Sequence, residues 1–113
     1  MILWYTGNSG AGKTTAAREM ARRTKSVLLD GDALREVWPG LTLTKADRWE
    51  QNLRAARLAR MLGDQGFDVV VATICPYRDL RIECQKITGC EFVFLTGGKH
   101  GPEYPYEPAG EGI

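Results

Sequence analysis

A three-layer α/β/α domain on a short parallel sheet is the fold class this sequence predicts, and three observations carry it. Short apolar runs recur at residues 2–5, 27–29, 69–74 and 92–95, stretches with helical period separate them, and a glycine-rich loop, GNSGAGKT, follows the first run at once. Strands alternating with helices imply crossover connections and parallel pairing, because a parallel neighbour cannot be reached through a tight turn.

The elements follow in order. The run ILWYT is the first strand. After Thr14, residues Ala16, Ala17, Met20 and Ala21 share one face while Arg18, Glu19, Arg22 and Arg23 point away, which predicts an amphipathic helix ending near Thr24. Residues 27–29 form the second strand. A long helix is expected over 45–65, where Ala55, Leu58, Ala59 and Leu62 keep the i, i+3, i+4, i+7 spacing and Gly66 supplies the stop. The third strand, 69–74, ends in Cys75, and a further helix is expected to start at Pro76, turn Leu80, Cys84 and Ile87 inward, and close at Thr88 and Gly89. Strand 92–95 comes last. From Gly97 onward five glycines and three prolines in seventeen residues predict a loop or tail without periodic structure.

With 113 residues, one domain is expected: a body over 1–96 and a Gly/Pro-rich tail over 97–113 belonging to it. Fifteen Lys plus Arg against fourteen Asp plus Glu leave no basic field, so nucleic acid is not an expected partner. Apolar runs such as DVVVATI and EFVFL fall far short of the roughly 20 residues that cross a bilayer, so no membrane partner is expected either. Cys75, Cys84 and Cys90 are odd in number and lack CxxC spacing, which reads as reduced thiols in a soluble, cytoplasmic protein.

The first constellation with chemistry is Gly7 to Thr14, which fits GxxxxGK[ST] with a strand before and a helix after. Gly7, Asn8, Ser9, Gly10, Ala11, Gly12, Lys13, Thr14 and Thr15 are the expected triphosphate site. Glycines let successive N–H groups turn toward one point, the helix terminus adds partial positive charge, Lys13 neutralises phosphate oxygens and Thr14 offers a hydroxyl to Mg²⁺.

In LLDGDALR a strand delivers Asp30 and Asp32 to its C-terminal edge, where ligands bind in open parallel sheets. Asp32 is a candidate to hold a metal-bound water or accept a proton from a substrate hydroxyl, with Arg35 pairing an anionic group; alternatively an Asp caps the next helix and the Arg is exposed. KADRWEQN places Arg48 with Gln51 or Asn52 on one helical face, as cleft ligands or as solvated surface. ATICPYRDLR brings Ile74, Cys75, Pro76 and Tyr77 to the same sheet edge. Arg78 or Arg81 there is a phosphate contact or ordinary helix surface, and Cys75 a helix-terminal nucleophile or a small buried thiol. His100 reads as surface, and Trp4, Trp38 and Trp49 as core or cleft wall.

Taken together, GNSGAGKTT, LLDGDALR, the DR of KADRWEQN, VVVATICPYRDLR and PYEP resemble the adenylylsulfate kinases in order and spacing. These are P-loop enzymes that phosphorylate the ribose 3′-hydroxyl of adenylyl sulfate with MgATP. The resemblance implies a P-loop NTPase fold with four parallel strands in the order 2-3-1-4, ATP and Mg²⁺ as cofactors, and a nucleotide or phosphorylated small molecule as substrate. It assigns Lys13, Asp32 and Arg35 to the reaction, Thr14 and Asp32 to Mg²⁺ (the latter through water), and Asp32, Arg35, Arg48, Gln51, Asn52, Ile74, Cys75, Pro76 and Tyr77 to the acceptor.

The departures are specific. An Arg/Lys-rich lid after the family's fourth strand is absent, and Leu95 runs directly into TGGKHGPEYPYEP. Lys99, Arg78 or a second subunit are the candidate substitutes for its cations. Leu43 and Leu95 stand where the family carries two phenylalanines that flank adenine, the family's serine is Cys75, and the C-terminal strand and helix are not represented. A homodimer covering the sheet edge is a candidate assembly. Two functional classes remain in view: an ATP-dependent small-molecule kinase, and a lidless nucleotide-binding module that regulates or binds a partner.

Overall fold

The computed structural model describes residues 1–113. Its elements run β1 (Ile2–Gly7), α1 (Lys13–Thr24), β2 (Val27–Asp30), α2 (Gly31–Val37), α3 (Lys45–Asp64), β3 (Val69–Thr73), α4 (Arg78–Thr88) and β4 (Glu91–Leu95). The four strands form one parallel sheet in the order β2-β3-β1-β4.

Alternation along β3 explains the three layers. Val69 and Val71 pack with Leu34 of α2, Ala55, Ala56 and Ala59 of α3, and Leu80 and Cys84 of α4. Val70 and Ala72 point the other way, onto Ala17 and Ala21 of α1. A strand covered on both faces reads as an unbroken apolar run, and each fully buried valine contributes about 1.5–3 kcal/mol. Trp4 is fully buried in β1, and its indole N–H donates to Thr73 Oγ1 at 2.9 Å, which removes the cost of burying that donor.

Two elements differ from the sequence expectation. The fourth helix begins at Arg78 rather than Pro76, with Tyr77 extended at its N-cap. The connection stays extended because its backbone is engaged elsewhere: Cys75 N–H donates to Thr6 Oγ1 at 3.3 Å, and Pro76 carbonyl accepts from Glu107 N–H at 2.7 Å. The seven-residue α2 is announced by its cap and not by apolar period: Asp30 Oδ1 accepts from Asp32 N–H at 3.0 Å.

The segment after β4 contains no helix or strand, yet it is fastened across the sheet's C-terminal edge. Lys99 N–H donates to Ser9 carbonyl at 2.9 Å, Asn8 Nδ2 donates to Tyr104 carbonyl at 2.8 Å, and Tyr106 Oη shares a 2.8 Å hydrogen bond with Thr6 Oγ1. Gly98 makes the first contact possible. Its φ is +108°, and a Cβ there would lie 2.7 Å from Ser9 carbonyl oxygen.

Candidate active site

Because all four strands point the same way, the ends of β1, β2 and β3 open onto one edge, and a cleft of about 460 Å³ lies there. Its floor is the loop between β1 and α1. Gly12, at φ +93°, serves as N-cap without a side-chain hydrogen bond, and the first turn of α1 holds no acid. The N–H groups and partial positive charge of that helix end are therefore free for an anion. Asn8, Ser9, Gly10, Gly12, Lys13, Thr14 and Thr15 line the cleft. Gly7 and Ala11 do not. A Cβ on Gly7 would come within 2.5 Å of Leu95 carbonyl oxygen, so that glycine serves close strand packing rather than phosphate contact.

The facing wall comes from β2, α2 and the start of α3: Asp30, Gly31, Asp32, Arg35, Leu43 and Arg48. Asp32 is largely exposed and pairs with Arg35 Nη1 at 3.6 Å, while Arg35 Nε is buried without a partner. Arg48 Nε donates to Leu43 carbonyl at 3.0 Å, and Leu43 is itself held in place because Thr42 N–H and Oγ1 both donate to Asp47 Oδ2. The charges feel one another. Burial pulls the Lys13 ammonium below its ordinary value, and Asp32 and Asp30 partly offset this. Burial also lowers Arg48, with Tyr77 opposing and the like charge of Arg35 adding to the shift. Two acids, two guanidiniums and a helix-terminal lysine thus share one water-accessible cleft.

Several expected ligands are engaged elsewhere. Gln51 is buried and donates to Gly31 carbonyl at 3.0 Å, which ties α3 to the start of α2. Asn52 is buried too, accepting from Thr73 Oγ1 at 2.6 Å and donating to the carbonyls of Arg48 and Ile74 at 2.8 and 3.2 Å. Their amides support the cleft from behind, whereas Ile74 lines it. Cys75, Pro76 and Tyr77 lie outside it: Cys75 is fully buried with its thiol pushed well up by burial, and Tyr77 stacks on Trp49 at 5.9 Å under Lys45. Buried and away from the cleft, Cys75 matches the small buried thiol and not a helix-terminal nucleophile.

Arg81 corrects the phosphate expectation most clearly. It is fully buried, Nη1 donates to Cys75 carbonyl at 2.8 Å and Nη2 to Glu107 carbonyl at 2.7 Å, and the guanidinium lies between the rings of Phe94 and Tyr106 at 5.2 and 5.3 Å. It fastens the 104–108 segment and does not line the cleft. Arg78 offers its backbone N–H to Glu107 Oε1 at 2.7 Å and is absent from the cleft. His100 is exposed, as expected. Gly31, Ala72, Thr73 and Tyr104 also line the cleft without having been expected there; the first three follow from the strand ends, and nothing in a loop without period marks Tyr104.

The strand order with a glycine-rich loop between β1 and α1 defines the class: an α/β protein of the P-loop fold. Residues 1–97 match the family model described as adenylylsulphate kinase, and the chain belongs to that family. The adenylyl-sulfate kinase of Burkholderia ambifaria is 44% identical over 86 residues, covering 71% of this chain and 48% of the relative. A probable adenylyl-sulfate kinase of Archaeoglobus fulgidus is 36% identical over 91 residues, covering 75% and 59%. Among solved structures, the Mycobacterium tuberculosis APS kinase CysC in complex with AMPPNP and APS aligns with a TM-score of 0.79 at 31% identity, covering 83% of this chain and 61% of that one. The chain spans about half the length of the curated relatives it matches.

Proposed function

We propose that this chain transfers the γ-phosphoryl group of MgATP to a hydroxyl of a small anionic acceptor, with adenylyl sulfate the first acceptor to test. One observation carries the reading: Lys13 on the phosphate loop faces Asp32 and the Arg35–Arg48 pair across a single cleft. Phosphoryl transfer needs little covalent help from a protein and depends on positioned charge. Lys13 and the α1 terminus would hold the triphosphate, and Arg35 and Arg48 the acceptor's anionic groups. Asp32 would take the proton as the acceptor oxygen bonds to phosphorus and the bond to the ADP oxygen breaks.

The residues present fit Mg²⁺. Thr14 and Asp32 line the cleft, and no cluster of three or more His, Cys, Asp or Glu forms a cage. Mg²⁺ keeps waters and needs only one or two protein oxygens beside phosphates. When bound, the ion would neutralise charge on the β- and γ-phosphate oxygens.

The test is ADP release from MgATP with and without adenylyl sulfate, alongside other nucleotides and sugar phosphates as acceptors. Acceptor-dependent ADP release supports the proposal. MgATP that binds and raises the melting temperature while no acceptor yields ADP would favour the nucleotide-binding module instead.

A further inference from the structure

Four of the seventeen residues lining the cleft are hydrophobic, and Tyr104 is the single aromatic among them. It is half-buried and held from two sides. Its carbonyl accepts from Asn8 Nδ2 of the phosphate loop at 2.8 Å, and its N–H donates to Gly101 carbonyl at 2.9 Å, closing a turn. The Lys99 ammonium sits 5.2 Å from the ring centroid, and Lys99 is in turn tied by its own N–H to Ser9 carbonyl. One ring face is thus covered by a cation, its backbone is fixed to the phosphate loop, and the residue borders the same cleft as Lys13 and Arg48. A ring fixed in that way costs little conformational entropy on stacking.

We propose that Tyr104 is the cleft's stacking wall and takes the planar base of a bound nucleotide, the other apolar lining being Leu43, Ala72 and Ile74. This rests on the reading of the cleft as a nucleotide site, but not on turnover. Cation–π contact from Lys99 on one face leaves the other for the base. A stacked aromatic adds affinity beyond the area it buries. The Tyr104 backbone bonds do not depend on its side chain, so the loop stays attached to Asn8 when the ring is removed.

The experiment is calorimetric binding to wild type, Tyr104→Phe, Tyr104→Leu and Tyr104→Ala, with two ligand pairs. Magnesium ATP against magnesium tripolyphosphate reports a donor base; adenylyl sulfate against ribose 5-phosphate reports an acceptor base. In one pair the base-bearing ligand should weaken by about tenfold in the Leu and Ala variants, its base-free counterpart by less than about twofold, and the Phe variant should keep wild-type preference. The pair that responds says which nucleotide the ring serves. Equal weakening of both members of a pair, or no change in either pair, overturns the proposal. Should the Ala variant fail to fold, the Leu variant makes the same comparison. Absence of phosphoryl transfer would sink the kinase reading while leaving this base preference measurable.

Discussion

Removing the Arg81 side chain should loosen the segment that crosses the sheet edge, and the size of the effect follows from its contacts. The guanidinium donates two short hydrogen bonds, at 2.8 and 2.7 Å, to the carbonyls of Cys75 and Glu107, and lies between two aromatic rings. Hydrogen bonds from a charged donor contribute about 1.5–3 kcal/mol each, and cation–π contacts about 0.5–2. Against this, the buried charge has no carboxylate partner, so its removal returns several kcal/mol of desolvation cost. The net loss for Arg81→Ala is about 2–3 kcal/mol, or a fall in melting temperature of about 10–20 °C. Arg81→Met fills much of the space without the charge and should lose less stability while still freeing the Glu107 carbonyl. Thermal unfolding and limited proteolysis check both points, with cleavage within 97–113 accelerated in each variant. A melting temperature for Arg81→Ala within about 2 °C of wild type, with unchanged cleavage, would refute the assignment.

Two further outcomes follow from the site. Gly98→Val should displace the loop from Ser9, since its φ of +108° and the 2.7 Å approach exclude a Cβ; a loss of about 1–2 kcal/mol and weaker MgATP binding are expected by thermal shift and calorimetry. Lys13 gives opposite slopes with pH: burial lowers its pKa from 10.5, so the unfolded chain binds the proton more tightly and ligand-free stability gains as pH rises from the folded value toward 10.5. MgATP affinity declines over that window as the ammonium is lost. Lys13→Arg, which does not titrate there, should lack both slopes in parallel unfolding and binding series.

The sheet was readable because its signals are local and redundant. DVVVATI buries both faces of one strand and therefore reads as continuous apolar sequence, and the glycine loop stands between a clear strand and a clear amphipathic helix. The cleft was harder to read on the helices. Arg48, Gln51 and Asn52 share one stripe of α3, and spacing alone cannot say that Arg48 turns into the cleft while the amides bond to Gly31 and Ile74 behind it. Arg81 follows Leu80 on α4, and it is buried by a loop that no periodicity announces. That loop is held largely through backbone groups of Lys99, Tyr104 and Glu107, which leave no trace in a side-chain pattern. Tyr104 was invisible for the same reason.

The loop also bears on which cations reach the cleft. Lys99 stands beside the phosphate loop with its ammonium over Tyr104, and Arg78 stands outside the cleft, so Lys13, Arg35 and Arg48 are the cations that border it.

The central claim is that Asp32 faces a bound triphosphate as the proton acceptor in transfer to a hydroxyl. Its most direct test is acceptor-dependent ADP release from MgATP and adenylyl sulfate by wild type and Asp32→Asn side by side, with MgATP affinity measured for both. The account predicts a rate about 100-fold or more lower in the variant with little change in MgATP affinity. An Asp32→Asn rate equal to that of wild type would contradict it.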